Sequence, residues 1–383
     1  MLFVSFDFGK QDTFPYSFSM TLKHLSAIVT IALTACASIP QNPPSPDDAA
    51  GSSAPPSDVE VVADNLRVPW DIAFLPSGDM LVTERPGTLL RIGVDKQRHA
   101  VEGVLHVGEG GLLGIALHPQ FTDNNWVYVY LTTQTDAGIR NRVERYTYAD
   151  DQLSQRTEIL TNIPGAANHD GGELAFGPDG YLYVTTGDAG NANSAQDVRS
   201  LAGKILRLRD DGTIPEDNPF GSPVYSYGHR NPQGLAWDAD GQLWSTEHGR
   251  SGALSGYDEL NRIDSGKNYG WPVIQGSEQR EGMESPVLHS GARDTWAPAS
   301  IAYVDGKIFF SGLRGESLYD TTLADGGTSA LRMHFVGRFG RIRATAIGPD
   351  GMLYITTSNT DSRGRPRQAD DKILRVDPST FPE

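Results

Sequence analysis

One short pattern recurs six times along this chain, and it constrains the fold more strongly than any other feature of the sequence. Each copy has an alanine followed by an apolar residue, then a turn containing Pro, Asp or Gly, then alternating apolar residues. Asp-Gly or Ser-Gly, present in five of the turns, supplies the positive φ of a tight hairpin. The pattern therefore predicts six hairpins, whose alanines are Ala73, Ala116, Ala175, Ala236, Ala302 and Ala346.

The spacing of these alanines predicts the architecture. They lie 43 to 66 residues apart, and a four-stranded propeller blade takes roughly 40 to 50 residues, so the longer intervals leave room for loops. We therefore predict an all-β fold, a six-bladed β-propeller of four-stranded antiparallel blades, over residues 59–383. A β-sandwich or a pair of sandwiches is the alternative, but sandwiches do not require one hairpin to recur along the chain.

The N-terminal segment predicts export. Lys23 precedes an apolar stretch, residues 25–35, which is too short to span a membrane and is typical of a secretory signal. The stretch ends in Leu33-Thr34-Ala35-Cys36, which resembles a bacterial lipobox, so we predict a signal region over residues 1–36, with Met20 as the alternative start. We expect a periplasmic protein attached to the membrane by a lipid on Cys36. An ordinary signal with an incidental cysteine is the alternative.

Composition and charge indicate a linker and exclude some kinds of partner and metal site. Residues 37–58 are mostly Pro, Ser, Asp and Ala, with almost nothing apolar to bury, which predicts a disordered linker. The formal net charge is -16 and no run of Lys and Arg occurs, so we expect no nucleic-acid partner. Cys36 is the only cysteine, which excludes an intrachain disulfide and a cysteine-based metal site.

Polar segments between the repeats are the candidates for a functional site. His169 lies directly before the third hairpin, and Asp188 follows the second strand of that hairpin. Their proximity is plausible but is not established by their spacing, because we expect the loops before and after an antiparallel hairpin to lie at opposite ends unless the fold brings them together. A surface histidine and an aspartate in an Asx turn are the alternatives. Further polar segments are residues 227–234, 247–250, 257–261 and 267–272.

Four motifs occur in an order that resembles one known family. They are Gly110-Gly111-Leu112-Leu113-Gly114, His169-Asp170-Gly171-Gly172, Gly228-His229-Arg230-Asn231-Pro232-Gln233-Gly234 and Gly266-Lys267-Asn268-Tyr269-Gly270-Trp271-Pro272. Together they resemble the glucose/sorbosone dehydrogenase family, the soluble aldose sugar dehydrogenases that depend on pyrroloquinoline quinone (PQQ). The resemblance extends from about Val59 to Val376. It implies oxidation of aldose sugars at C1 to the lactone, with PQQ and calcium as cofactors.

The resemblance implies three catalytic residues. His169 would be the general base that takes the proton of the sugar C1 hydroxyl while hydride passes to the quinone C5. Asp188 would orient and polarise His169, since a carboxylate partner fixes the tautomer of an imidazole. Arg230 would lie over the quinone oxygens, where negative charge develops as hydride arrives.

The resemblance also implies a set of cofactor-binding residues. Arg341 and Arg343 lie two apart, so on a strand both point to one face, and their guanidinium groups suit the three carboxylates of PQQ. On spacing alone, a pair of exposed strand arginines is the alternative. Glu109 stands where the family commonly has glutamine, and a carboxylate there repels PQQ unless it is protonated or turned toward a cation. The other matching positions are Asn168, Arg230, Asn231 and Arg314.

Calcium is expected at a turn on the fourth blade. The resemblance implies that the backbone carbonyls of Gly249 and Arg250 hold the ion, and Ca²⁺ readily takes such oxygen ligands. Asp258 and Glu259 resemble the acidic part of the same segment and are predicted to bind or support calcium, with a solvated acidic turn as the alternative. Arg250 stands where the family commonly has proline, and residues 251–257 lengthen a turn that is normally tight.

Two other functions remain open at this point. A calcium-dependent sugar lactonase on a six-bladed propeller needs Glu, Asn and Asp side chains that converge on a metal ion to activate water. This sequence instead offers histidine with several arginines, which suits an anionic ligand. A propeller that only binds is the other alternative, because this fold hosts many functions. The sequence does not determine the sugar, the electron acceptor or the oligomeric state.

Overall fold

The computed structural model describes residues 59–250, 256–324 and 327–382. These residues form six antiparallel sheets, and the first strands of successive sheets contact one another around a ring. The predicted six-bladed propeller is confirmed. The predicted signal region, Cys36 and the linker over residues 37–58 lie outside the described residues. None of the helices in the described ranges is long and apolar enough to cross a membrane.

Within a blade, the strands follow one another outward in chain order. The described chain begins with β1 (Val59–Ala63). Blade 1 contains β2 (Pro69–Phe74), β3 (Met80–Glu84), β4 (Thr88–Ile92) and β5 (Lys96–Ala100). Blade 2 contains β6 (Leu112–Leu117), the short helix α1 (Phe121–Asn124), β7 (Trp126–Thr135), β8 (Gly138–Ala149) and β9 (Gln152–Pro164). Blade 3 contains β10 (Leu174–Phe176), β11 (Leu182–Thr186), β12 (Lys204–Leu208) and β13 (Val224–Tyr227), with a 3₁₀ turn at Ala192–Gln196.

The last three blades complete the ring. Blade 4 contains β14 (Pro232–Trp237), β15 (Leu243–Glu247), β16 (Glu259–Ile263) and β17 (Leu288–His289). Blade 5 contains β18 (Pro298–Val304), β19 (Lys307–Gly312), β20 (Ser317–Ala324), and two short strands that both pair with β20, β21 (Gly327–Thr328) and β22 (Arg332–His334). Blade 6 contains β23 (Ile342–Ile347), β24 (Leu353–Thr357) and β25 (Ile373–Val376), and a 3₁₀ turn follows at Pro378–Thr380.

Strand β1 closes the ring as the outer strand of blade 6. It pairs antiparallel with β25, so that Val59 lies opposite Val376 and Val61 lies opposite Leu374. The first strand of this blade, β23, contacts β2 of blade 1. The two ends of the described chain therefore share one sheet, and β1 covers the edge of β25 that would otherwise be unpaired.

Apolar side chains fill the space between neighbouring blades. One buried cluster combines Leu113 and Tyr130 of blade 2 with Leu174, Val184 and Leu206 of blade 3. Each such side chain stabilises the fold by about 1.5–3 kcal/mol when it is fully buried. This packing holds the ends of the inner strands in place, and the loops at those ends carry the candidate site.

Five of the six first strands have a register shift near their start. A bulge of this kind bends a strand and re-aims its side chains. In β23 the shift falls between Ile342 and Thr345 and therefore includes Arg343. The other four shifts lie between Pro69 and Asp71, Leu112 and Ile115, Pro232 and Gly234, and Pro298 and Ile301.

Candidate functional site

Most of the predicted site residues lie in loops at one end of the propeller, directly before the first strand of a blade or directly after its second strand. In an antiparallel hairpin, these two positions lie at the same end. Our expectation of opposite ends for His169 and Asp188 is therefore wrong. The pairing of β10 with β11 brings the residues before and after the hairpin together.

These loops enclose a cavity of about 330 Å³, a volume suited to a small organic molecule. The predicted site residues that line it are Glu109, Asn168, His169, Arg230, Gly249, Arg250, Asp258, Arg314 and Arg341. The predicted residues Asp188, Asn231, Arg343 and Glu259 lie behind this lining. The lining also includes five residues without a predicted role, which are His248, Thr295, Ala297, Leu313 and Arg363.

Both ring nitrogens of His169 are held by charged neighbours. Its Nδ1 lies 2.7 Å from Oδ1 of Asp188, and its Nε2 lies 2.8 Å from a terminal guanidinium nitrogen of Arg230. A guanidinium group can only donate, so Nε2 is the acceptor and Nδ1 carries the proton that Asp188 accepts. The structure therefore brings the three predicted catalytic residues together, with the basic nitrogen of His169 at the cavity.

The carboxylate of Asp188 is buried and accepts hydrogen bonds on both oxygens. Oδ1 also accepts a hydrogen bond from the backbone N–H of Gly190, and Oδ2 accepts one from the indole Nε1 of Trp271 at 2.9 Å. Burial opposes ionisation, but the hydrogen bonds from His169, Gly190 and Trp271 outweigh it and hold the pKa of Asp188 below its usual range. Asp188 is therefore ionised at neutral pH.

The backbone of His169 adopts a conformation that a histidine rarely takes, with φ at 59°. Its N–H donates to the carboxylate of Glu109 at 3.0 Å, and its carbonyl accepts from the N–H of Ala189. A Cβ on Gly187 would lie 1.9 Å from this carbonyl, so only glycine fits there. A residue other than glycine keeps a left-handed φ only where neighbouring contacts hold it there. The contacts with Glu109, Ala189 and Gly187 therefore fix the position of His169 at the cavity.

Both carboxylate oxygens of Glu109 are paired with donors from other residues that line the cavity. One oxygen accepts the N–H of His169, and the other accepts a guanidinium hydrogen of Arg363 at 2.7 Å. Burial alone raises the pKa of a carboxyl group, but the hydrogen bond from His169, the nearby His248 and the contact with Arg363 outweigh it and lower the pKa of Glu109 to about 2. The carboxylate is thus turned toward a cation, and Glu109 acts on the backbone of His169 as a positioning group.

The ion pair between Glu109 and Arg363 makes the free energy of unfolding depend on pH. The folded-state pKa of Glu109 lies below that of an unfolded glutamate, so its contribution to the free energy of unfolding is present above about pH 4.5 and is lost as the pH falls toward 2. We expect Glu109→Gln to lower the free energy of unfolding by about 2 kcal/mol at pH 6, where solvent screening of the exposed Arg363 limits the effect. Near pH 2 we expect almost no difference, because the carboxyl group of Glu109 becomes protonated there.

Denaturant titrations of both proteins at several pH values measure this difference. Glu102→Gln, at an exposed glutamate, is the matched control and should change stability equally little at every pH. A constant difference between the wild type and Glu109→Gln across the pH range contradicts the assigned ion pair.

Two predicted arginines lie deep in the site. Arg341 donates from Nε to Asp361 at 2.9 Å and from a terminal nitrogen to the carbonyl of Leu313. Arg343 is buried and donates to the side chain of Gln233 at 3.3 Å. Burial lowers the pKa of Arg343 to about 9, and the neighbouring charges of Arg85 and Arg341 act in the same direction. The guanidinium of Arg343 therefore stays charged at neutral pH, and it lies close enough to Arg85 and Arg341 to be repelled by them.

Several buried donors at the site lack an acceptor within the described residues. They are Nε of Arg343, Nε of Arg85 and Nδ2 of Asn231. The Oδ1 of Asn231, by contrast, accepts the N–H of Gly171 at 2.9 Å. Buried donors without partners are costly in a folded protein, so a cluster of them indicates an acceptor supplied from outside the chain. Together with the arginines, they fit an anionic ligand.

The remaining two predicted cofactor residues lie at the cavity wall. Asn168 is half-buried beside His169, and Arg314 is exposed at the rim. The backbone N–H of Arg314 donates to the carbonyl of Trp296, which fixes its position after β19. Both residues are placed where a ligand in the cavity can reach them.

The predicted calcium turn is anchored by Asp258. One oxygen of this buried carboxylate accepts the N–H of Gly249 at 2.8 Å. The other accepts from Oγ1 of Thr295 and from the N–H groups of Trp296 and Ala297. This second oxygen, Oδ2, therefore has no lone pair left for a metal ion, whereas Oδ1 has one donor and keeps a lone pair. The side chain of Asp258 thus shapes the turn and can still offer one oxygen to a cation.

The other parts of the turn differ in what they offer a cation. Gly249 and Arg250 line the cavity, and the carbonyl of Arg250 accepts the N–H of Gly256 at 3.3 Å. A carbonyl has two lone pairs, so this contact leaves one for a cation. Glu259 faces a separate small cavity, and burial raises its pKa to about 8. Part of the predicted insertion, residues 251–255, lies outside the described residues.

Sequence reasoning missed several residues that take part in the site. Arg85 follows the second strand of blade 1, and Asp361 and Arg363 follow the second strand of blade 6. A rule that every such loop faces the site would have found them. His248 also lines the cavity, and burial lowers its pKa to about 4, so it is neutral. Trp271 lies in the motif Gly266-Lys267-Asn268-Tyr269-Gly270-Trp271-Pro272, and its residue type alone predicts no role.

Comparison with known proteins agrees with this geometry. The family model described as "Glucose / Sorbosone dehydrogenase" matches residues 66–367. The chain is similar to the PQQ-bound form of aldose sugar dehydrogenase from Streptomyces coelicolor, with 42% identity, a TM-score of 0.78, and coverage of 85% of this chain and 99% of that chain.

Two curated relatives extend the comparison. Aldose sugar dehydrogenase YliI of Escherichia coli is 32% identical over 84% of this chain and 92% of its own length. Quinoprotein glucose dehydrogenase B of Acinetobacter calcoaceticus is 34% identical over 67% of this chain and 60% of its own length. The similarity thus covers nearly all of the described propeller.

Proposed function

Because the chain belongs to the glucose/sorbosone dehydrogenase family, we propose that it oxidises aldose sugars at C1 to the lactone, with PQQ and calcium as cofactors. The observation that carries this proposal is the placement of His169. Its basic nitrogen opens on a cavity lined by arginines, between an ionised aspartate and Arg230. A base beside a pocket for an anion is the arrangement that this oxidation needs.

The donors at the site suit the three carboxylates and the quinone oxygens of PQQ. Arg341 and Arg343 would hold carboxylates, since guanidinium groups match them in shape and charge. Asn231 has an amide nitrogen without a partner, and Arg343 has an unpartnered Nε. Arg314 at the rim adds a further cation. Bound PQQ would supply the two-electron oxidant that takes the hydride from the sugar C1.

His169 would receive the proton of the C1 hydroxyl at Nε2. Asp188 accepts the Nδ1 proton, so the imidazole presents its lone pair toward the cavity and the carboxylate stabilises the imidazolium that forms. Arg230 donates to this same lone pair in the structure, so the sugar hydroxyl must replace that hydrogen bond. The released guanidinium then remains beside the reacting groups as a donor for developing negative charge.

Calcium would be held by the backbone carbonyls of Gly249 and Arg250. Hard oxygen donors on a turn at the cavity wall are the ligands that Ca²⁺ prefers. The carboxylate of Asp258 would support the ion indirectly, through its hydrogen bond to the N–H of Gly249. Glu259, which faces the neighbouring small cavity, is left out of the ligand set at the main cavity.

Dye-linked oxidation of a panel of aldoses tests the reaction. We expect turnover to slow when C1 carries deuterium, because the C1–H bond breaks. Methyl glycosides, whose C1 oxygen carries no proton, are the matched control and should not be oxidised. Oxidation at another carbon would contradict the assignment of C1. So would equal rates for the unlabelled and the C1-deuterated sugars under conditions where the chemical step limits turnover.

Lactone hydrolysis is the second candidate. The acids at the cavity are already engaged, because Glu109 pairs with Arg363 and Asp258 binds four donors. Among the described residues, no group of three or more His, Cys, Asp or Glu side chains is placed to hold a metal ion, as a site that activates water requires. Export to the periplasm and a lipid on Cys36 remain predictions, and the electron acceptor remains to be identified.

A further inference from the structure

Trp271 contacts both groups that hold the ring of His169. Its indole Nε1 donates to Oδ2 of Asp188 at 2.9 Å. The face of its ring lies 5.4 Å from the guanidinium carbon of Arg230. Asp188 and Arg230 in turn lie on opposite ring nitrogens of His169. One half-buried side chain thus touches the donor and the acceptor that together determine how the imidazole is protonated.

The position of Trp271 is itself fixed by two blades. Its N–H donates to the carbonyl of Gly228 at 2.8 Å, and its carbonyl accepts from Nε2 of Gln196 at 2.7 Å. The side chain of Gln196 also exchanges two hydrogen bonds with Asn268. Gly270 has φ at 84°, and a Cβ there would lie 2.1 Å from Ile274. The backbone at Trp271 therefore has little freedom to move away from Asp188.

We propose that Trp271 is a positioning residue that keeps the proton of neutral His169 on Nδ1. The terminal torsion of an aspartate is soft, so its carboxylate rotates unless each oxygen is held. His169 and Gly190 hold Oδ1, and Trp271 alone among the described side chains holds Oδ2. Rotation of Asp188 would weaken its hydrogen bond to Nδ1 and allow the proton to move to Nε2.

The nitrogen that carries the proton decides whether neutral His169 can act as a base. An imidazole with its proton on Nε2 has no lone pair toward the cavity and cannot take the proton of a sugar hydroxyl. It would also direct an N–H toward a guanidinium hydrogen of Arg230, which is repulsive. The ring of Trp271, through its contact with Arg230, keeps that guanidinium on the Nε2 side. The inference rests on the proposed role of His169 as the base.

The tautomer is measured directly by NMR of the protein with ¹⁵N-labelled histidine. The chain has 9 histidines, and the His169 signals are those lost in His169→Gln. At a pH where His169 is neutral, we expect the wild type to show one tautomer, with the proton on Nδ1. In Trp271→Phe, which keeps an aromatic ring but lacks the indole N–H, we expect a mixture of both tautomers.

A matched control separates this effect from the loss of any indole. Trp237 is also half-buried, but it packs against Tyr183 in another part of the propeller. We expect Trp237→Phe to leave the His169 signals unchanged. If Trp271→Phe keeps the proton on Nδ1 as fully as the wild type does, the proposal is wrong. If Trp271→Phe fails to fold, Gln196→Leu provides the test, because it frees the carbonyl of Trp271 and should shift the tautomer in the same direction.

Kinetics gives the second readout. We expect Trp271→Phe to lower kcat for aldose oxidation about tenfold, since it removes one hydrogen bond to a charged group, and to leave KM within about twofold. A change in KM alone would show that Trp271 only shapes the pocket and would overturn the proposal. The NMR experiment needs no turnover, so a shifted tautomer in a protein that oxidises no sugar would leave this inference standing and reject the proposed function.

Discussion

Replacing His169 by alanine should lower the turnover number for aldose oxidation by about 10²–10⁴-fold, the usual contribution of a general base. The affinity for PQQ should stay nearly unchanged, because the arginines at the cavity are the groups that suit its carboxylates and the substitution leaves them in place. A base acts in the chemical step, so kcat should fall while KM changes little. Steady-state kinetics with saturating PQQ and Ca²⁺ measures the first quantity, and titration calorimetry measures the second.

The control for this variant is His99→Ala. His99 lies on the outer strand β5 of blade 1, where its ring contacts Tyr148 and no group of the site. We expect wild-type turnover from this variant. Equal losses of turnover and PQQ affinity in His169→Ala would show that His169 binds the cofactor, and wild-type turnover would show that another group takes the proton.

Replacing Arg343 by methionine should weaken PQQ binding by about 10²-fold or more. Truncating one partner of a buried, hydrogen-bonded charge pair usually costs about 2–5 kcal/mol of binding free energy, and Arg343 is buried with an Nε that lacks a partner. Methionine keeps much of the length of the side chain and removes only its charge and donors. Calorimetric titration of the variant with PQQ in the presence of Ca²⁺ gives the change in Kd.

Arg262→Met makes the same change in net charge at a distance from the site. Arg262 is about half exposed on β16 and donates to Gln242. We expect its Kd for PQQ to match the wild type, and a thermal melt of each variant checks that the fold is intact. An unchanged Kd in a folded Arg343→Met variant would remove Arg343 from the cofactor site.

The architecture could be predicted because it is repeated. Six hairpins with one pattern specify six blades, and each hairpin signal is local in the sequence. The closing strand β1 was harder to foresee, because its partner β25 lies more than 300 residues away and its own five residues form no hairpin. A short strand without a neighbouring turn carries no local signal of its partner.

The site was predicted less completely because its contacts join distant loops. Arg363 and Glu109 are 254 residues apart in the chain, yet they form an ion pair at the cavity. Asp258 carries the same residue type that a calcium site needs, but the four donors around it come mainly from residues 295–297. Residue type indicated the chemistry, and only the packing of the blades determined which lone pairs remain.

The geometry also corrects a simple error about hairpins. His169 and Asp188 were expected at opposite ends, although the residues that flank a hairpin meet at its open end. Applied to all six blades, this rule places Arg85 and Asp361 at the site as well. The tautomer of His169 follows only from the positions of Asp188 and Arg230 around the ring, and no sequence pattern gives those positions.

Reconstitution of the purified protein tests the central claim most directly. The protein is first freed of cofactor and metal, then supplied with PQQ, with Ca²⁺, or with both, and assayed by dye-linked oxidation of aldoses. We predict oxidation of aldoses to lactones only when both are added. No oxidation, together with no PQQ binding by calorimetry, would contradict the account, and hydrolysis of sugar lactones without PQQ would identify the protein as a lactonase instead.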